Sequence, residues 1–264
     1  MAKKVATAKR GASSPAKIKA RNSGIGSLPD QISRRIVQEF ILGEKLKPGE
    51  LLPGEKQLCE LYDVSRPTIR SAIKSLHDHG VISVRNGVGA VVLPRGKEIL
   101  HRLDSLASID TFAIESGHAI ETTHLSWETV AADLESSRKL RIPAGDPVLL
   151  AKRLKIIDSA PAAWIIDALP AELVDANDIK QRFHGSVLDA MLEDETRLVD
   201  YADSEVKPCH CDEALSPILK KPVGALLLFM DTTVVTIKSR PLIWGRVWLD
   251  PDKFRFAFRR RHFG

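Results

Sequence analysis

Cysteine is scarce in this chain, with 3 in 264 residues, and Cys59, Cys209 and Cys211 are too few for a disulfide framework. Cys209 and Cys211 are also badly spaced to close on each other, so a reducing, cytoplasmic setting is expected. Long apolar runs are lacking too. The longest uncharged one, Val223 to Met230, is far below the ~20 residues of a bilayer-spanning helix, and no membrane partner is expected. The marks of catalysis are missing as well. Gly87-Val-Gly89 lacks the third glycine and following helix of a dinucleotide fingerprint, and neither a nucleophile elbow nor paired carboxylates can be argued. His101, His118, His124 and His184 are scattered without a glutamate partner motif. On a strand, Cys209 and Cys211 share one face while His210 takes the other, short of the four convergent ligands zinc requires. The expectation is therefore no metal, no cofactor, no catalytic residues and no enzyme.

What is present is ordinary globular composition, 44% hydrophobic and 28% charged, at a length that suggests two domains of roughly 150 residues each. The net charge of +5 is unevenly placed: residues 1–95 hold 17 Lys/Arg against 8 Asp/Glu, the remainder 22 against 26. Much of the excess lies in residues 1–27, where Lys3, Lys4, Lys9, Arg10, Lys17, Lys19 and Arg21 face no acid. That stretch cannot bury enough surface to fold. It reads as a disordered tail, with a phosphate-binding arm or an acid-poor transit peptide as alternatives.

Residues 28–94 are punctuated as a small helical unit. Asp30 is a fair N-cap for a helix carrying Ile32, Ile36, Val37, Phe40 and Ile41, stopped by Gly43. A turn at Lys47 to Glu50 and an extended Leu51 to Gly54 lead into a short helix with Leu58, Cys59 and Leu61 on one side. Asp63-Val64 breaks it. Ser65 caps a third helix with Ile69, Ala72, Ile73 and Leu76 on its apolar face and Gly80 at its end. Two β-rich runs, Val81 to Val84 and Ala90 to Leu93, follow around an Asn86-Gly87 turn. This is a winged helix-turn-helix. Residues 95–119 read as a linker holding a short helix outside any core. Residues 120–262 then offer strands at 121–127, 148–158, 162–169, 201–209, 225–237 and 242–249, with helices around 127–140, 187–192 and 212–219. The fold class expected is α+β, an antiparallel sheet with helices around it.

In a helix-turn-helix the first turn of the second helix meets base edges in the major groove. Arg66 and Arg70, four residues apart, share a helical face, and a guanidinium fork matches O6 and N7 of guanine. An isolated arginine pair is ordinarily solvated surface charge; this position makes it a reader. Thr68 and Lys56 suit phosphates, beside the helix N-terminal amides.

The segments 41–58 (ILGEKLKPGELLPGEKQL), 64–70 (VSRPTIR), 76–82 (LHDHGVI) and 86–89 (NGVG) resemble the DNA-binding domain of GntR-type bacterial transcription regulators. The resemblance implies base reading by Arg66 and Arg70, phosphate contacts by Lys56 and Thr68, and a glycine-rich wing at Gly87 and Gly89 in the minor groove; Ser65 and Arg85, beside these, are further DNA-binding candidates. Gly54 stands where the family usually has a capping Ser, a loss of a few tenths of a kcal/mol at most, and Pro67 replaces a commoner Thr or Ser. Further on, 140–148 (LRIPAGDPV), 153–158 (RLKIID), 169–170 (LP), 185–188 (GSVL) and 252–256 (DKFRF) resemble the ligand-binding (UTRA) domain of the HutC branch. That implies a chorismate-lyase-like fold whose pocket holds a small anion, with Arg153, Lys155 and Ser186 as its ligands by position. Arg153 and Lys155, two apart on a strand, point to one face. Where many members carry Glu, this chain has Trp164-Ile-Ile166, which points to a flatter or more apolar acid; Trp164, Trp244 and Trp248 are each either an apolar or aromatic wall or, as is commoner for tryptophan, core, and of them Trp164 and Trp248 are the effector candidates. The expected protein is a homodimeric, nucleoid-associated regulator, a repressor by resemblance, on palindromic double-stranded DNA and answering to a small-molecule effector. A chorismate-lyase-like enzyme with a DNA-binding appendage and a non-specific DNA-coating protein are the alternatives.

Overall fold

The computed structural model describes residues 27–85, 87–94, 96, 98–103, 105–193 and 199–257; residues 1–26 of the basic tail and Asn86 lie outside them. Helix α1 (Leu28–Ile36) runs on as a π-helical segment, Val37–Leu42. Its cap is Ser27 rather than Asp30. Asp30 sits in the first turn and accepts hydrogen bonds from Ser27 N and Oγ at 3.1 and 2.6 Å, because Pro29 is tolerated inside a first turn, where its missing N–H is not needed. Helix α2 (Glu55–Tyr62) starts at Gly54, whose N–H donates to Gln57 Oε1 at 3.0 Å, and ends in left-handed Asp63. Helix α3 (Arg66–Asp78) is capped by Ser65 Oγ accepting from Thr68 N. The wing is β1 (Ile82–Arg85) antiparallel to β2 (Gly89–Val92). Ile32, Ile36, Leu58, Tyr62, Ile69, Leu76 and Ile82 make one buried cluster.

The segment expected to be a linker outside any core is folded. Strand β3 (Ile99–Arg102) pairs in parallel with β10 (Phe254–Ala257), and α4 (Ile109–Glu115) buries Ile109, Phe112 and Ala113 with Ile99 and Phe254. Ile114 of α4 packs on the helix-turn-helix core instead. So α4 touches both units.

The second unit is a six-stranded antiparallel sheet in the order β4 (Ile120–Ala131), β5 (Pro147–Ile157), β6 (Ala160–Pro170), β9 (Pro241–Leu249), β8 (Leu226–Thr236), β7 (Val199–His210). The helix expected around residues 127–140 starts only at α5 (Leu134–Leu140), because Trp127 to Ala131 pair with β5. Helices α6 (Ala176–Arg182) and α7 (Val187–Leu192) cover one sheet face and α8 (Leu215–Leu219) packs on the other. Helix α6 had no apolar periodicity to announce it; Asp175 caps it, accepting from Asn177 N and Asp178 N. Among the described residues no helix is long and apolar enough to cross a membrane.

One irregularity fixes which side chains reach which face. A two-residue turn joins β5 to β6, and Ile157↔Ala160 and Ile156↔Pro161 pair as that turn dictates. The register then slips by one, to Lys155↔Ala163 and Arg153↔Ile165. A bulge of one residue exchanges the faces of everything beyond it. Without it Trp164 would stand opposite Arg153; with it Ile165 and Asp167 share Arg153's face and Trp164 turns away.

Candidate functional sites

Two sites stand out, one on each unit. On the helix-turn-helix, Arg66, Arg70, Lys56, Arg85, Gly87 and Gly89 are all exposed. Gly87 and Gly89 have φ of +77° and +118°, a left-handed backbone that side chains rarely adopt, so the wing tip keeps its shape because these are glycines. The Thr68 hydroxyl lies 2.8 Å from Ser65 Oγ, and Lys56 Nζ is 4.0 Å from Glu60 Oε1. Sequence reasoning missed Glu55. Arg70 Nε donates to both its carboxylate oxygens at 3.1 Å, which leaves the far end of the guanidinium for another acceptor.

On the second unit a cavity of about 390 Å³ opens on the sheet face that carries α4 and α7. Ile165, Met230, Val234, Ile243 and Val247 form an apolar floor. Arg153, Asp167, Ser186, Ser108 and Asp110 supply polar walls, and Tyr201, Ser204 and Thr232 also line it. Arg153 is only 3% exposed. Its Nη1 lies 2.7 Å from Asp167 Oδ2, out of line for a hydrogen bond, and neither Nη1 nor Nε has a hydrogen-bond acceptor. Ser186 caps α7 by accepting from Asp189 N at 3.1 Å.

Lys155 is corrected by the structure. It shares Arg153's strand face but is completely buried, and its three donors go to Asp110 Oδ1 and Thr122 Oγ1 at 2.7 Å each and to the Gly185 carbonyl at 2.8 Å. An ammonium has three N–H bonds, so Lys155 holds α4 and the Gly185 loop together and has none left for a ligand. Burial pulls its pKa down, and Asp110 opposes that pull. Trp164 and Trp248 are also misplaced as cavity walls. They pair across β6 and β9 on the opposite face, packed with Leu154, Cys209 and Leu215, as the bulge requires. Trp244 is core, its Nε1 donating to Asp231 Oδ1 at 3.0 Å.

Behind the cavity wall Ser108 Oγ donates to Asp189 Oδ2 at 2.7 Å, and burial pushes that carboxyl up to about 7. His101 at the cavity edge is pushed down to about 4 by burial and lies against Phe112 and Phe256. At the other end of α4, Glu115 is 8% exposed and meets Arg34 Nη1 of α1 at 3.3 Å and His79 Nε2, just after α3, at 3.4 Å. Burial raises its pKa, against the pull of His79 and Arg34. Thus one short helix lines the cavity at its start and grips the helix-turn-helix at its end. Its acids read as surface charge because their partners lie far away in the chain.

Residues 115–255 match the UTRA domain family and residues 28–92 match the bacterial regulatory proteins of the gntR family. Among curated proteins, the HTH-type transcriptional repressor NanR of Enterobacter sp. (strain 638) is 24% identical over 62% of this chain and 76% of its own length. The uncharacterized HTH-type transcriptional regulator YurK of Bacillus subtilis (strain 168) is 23% identical over 85% and 92%. Among solved structures, PhnF from Mycobacterium smegmatis superposes with a TM-score of 0.58 at 19% identity, covering 87% of this chain and 99% of that one. At such identity the likeness is one of fold.

Proposed function

The chain belongs to the UTRA family of gntR-type bacterial regulatory proteins, a transcriptional regulator with an effector-binding domain, and from that premise we propose that it is a repressor released from DNA by a small molecule bearing an anionic group, held in the 390 Å³ cavity. It binds a palindromic operator as a homodimer, since one recognition helix covers only a few base pairs and specificity requires two half-sites. The observation that carries the effector reading is Arg153, a buried guanidinium on the cavity wall with Nε and Nη1 lacking acceptors. Such donors are costly to leave unmet in the protein interior. Helix α4 supports the coupling, because it borders the cavity and ends on the Glu115–Arg34–His79 contact. A ligand that favours one placement of α4 shifts the reader by its differential affinity, typically about 1–3 kcal/mol. Arg153→Ala is expected to abolish metabolite-induced release from the promoter of the protein's own gene while leaving promoter binding intact, as measured by fluorescence anisotropy. An unchanged release would remove Arg153 from the effector site.

On the DNA side Arg66 is assigned to a base and Lys56 to a phosphate. Arg66→Ala should relax discrimination at one position per half-site, by about 1–3 kcal/mol. Lys56→Ala should weaken specific and random duplex alike and lower the slope of log affinity against log salt by about one. Competition binding over a range of salt separates the two; equal loss on both duplexes for Arg66→Ala would reassign it to the backbone.

A further inference from the structure

Arg153 does not stand alone on the cavity wall. Asp167 on β6, 7% exposed, lies within ion-pair distance of it at 2.7 Å. Space for that carboxylate is kept open by the residue paired with it on β9: a Cβ on Gly245 would sit 2.9 Å from Asp167 Oδ1, closer than carbon and oxygen approach. The neighbouring cation, Lys155, is closed on Asp110 in the same way. Each of these two buried cations therefore carries its own carboxylate, and with Arg102 also on the lining beside Asp110, Asp167 and Asp200 the wall offers an incoming anion no surplus of positive charge. A phosphate or dicarboxylate at Arg153 would set its second charge against Asp167, over a floor of Ile165, Met230 and Val247 where water screens poorly.

A molecule carrying opposite charges on two groups of the same carbon avoids that conflict. Resting on the reading of this cavity as the effector site, we infer that the effector is an aminocarboxylate zwitterion with an apolar body. Its carboxylate accepts from the unmet donors of Arg153, its ammonium donates to Asp167, and its body lies on the aliphatic floor. The exchange opens a buried ion pair without leaving either partner uncompensated, the outcome that makes breaking such pairs expensive. Net charge in the cavity is unchanged by binding.

The test is calorimetric titration of the full chain with L-leucine, L-phenylalanine and L-methionine, with the amine-less 4-methylpentanoate and 3-phenylpropanoate, with phenethylamine, and with sodium phosphate. At least one amino acid is expected to bind, and its amine-less or carboxylate-less counterpart to bind about ten- to a hundredfold more weakly, the loss of one charge-assisted hydrogen bond; phosphate should give no heat. Asp167→Asn should erase the preference for the amino acid over the amine-less acid, whereas Arg153→Ala should bind neither. Gly245→Ala, which crowds Asp167 without altering charge, is the second variant and should weaken the amino acid while sparing the amine-less acid. If no amino acid binds, if phosphate or an amine-less acid binds the unmodified protein as tightly as the amino acid, or if both variants keep the original preference, the zwitterion assignment is overturned. The cavity as effector site falls on a different result, a probe that binds Arg153→Ala as well as the unmodified chain.

Discussion

Lys155→Ala is expected to lower the unfolding free energy by about 3–5 kcal/mol, the cost typical of breaking a buried ion pair by deleting one partner. The ammonium is completely buried, and its three bonds reach α4 through Asp110, β4 through Thr122, and the loop before α7 through the Gly185 carbonyl. Deletion leaves the Asp110 carboxylate without its counter-ion and the Gly185 oxygen without its donor. Lys155→Met, which keeps most of the volume, should recover little of the loss, because the charge is missing and not the packing. Lys155→Met with Asp110→Asn should recover most of it, a coupling that a double-mutant cycle in urea reads directly. Gly185→Ala should fail in the same place: its φ is +117°, and an added Cβ would lie 2.7 Å from Asp110 Oδ1 and 3.4 Å from Lys155 Nζ. A loss below about 1 kcal/mol for Lys155→Ala would place this lysine with ordinary surface pairs and reopen its role as a ligand.

That lysine also shows where reading a sequence stops. Period-two alternation correctly puts Arg153 and Lys155 on one face of β5, but it says nothing about what waits there. The partner that occupies Lys155 comes from α4, 45 residues earlier, and the partner of Arg153 comes from the next strand. Trp164 failed for a related reason, since a one-residue bulge before it reverses faces and nothing in the residue order marks that bulge. The winged helix-turn-helix was far more legible, because its signals are local: Ser65 caps, Asp63 and Gly80 stop, and apolar residues three and four apart face inward. Strands β4 to β9 each coincide with an expected run, although β4 extends to Ala131, beyond the expected end at residue 127. Strands β3 and β10 did not, because four-residue strands paired in parallel across some 150 residues have no nearby partner to imply them. The cavity inherits both levels. Its strands and the helix that starts after Ser186 were readable, whereas the cap itself is a structural finding and the charge balance depends on Asp110 and Asp167, which look like surface acids until the fold buries them.

Asp189 carries the largest expected pH effect. Burial raises its carboxyl from 3.8 to about 7, against the hydrogen bond from Ser108 and reinforced by Asp110. In the unfolded chain the proton leaves near pH 4; in the folded chain it stays until about pH 7. Between those values the folded state binds more protons, so stability falls as pH rises through the window. Below pH 4 both states are protonated and the residue contributes no difference. Above pH 7 both are ionised and the folded state bears the full cost of a buried carboxylate, about 4 kcal/mol. His101 works in the opposite sense, because holding it at about 4 costs stability as pH falls from 6.5. Comparing Asp189→Asn with the unmodified chain cancels His101, and asparagine keeps an oxygen to accept from Ser108. The variant is expected to match the unmodified protein near pH 4 and to exceed it by a few kcal/mol at pH 8, in urea denaturation at successive pH values. A gap that stays constant across that range would mean that Asp189 is ionised in the folded protein throughout, with a countercharge close enough to offset its burial.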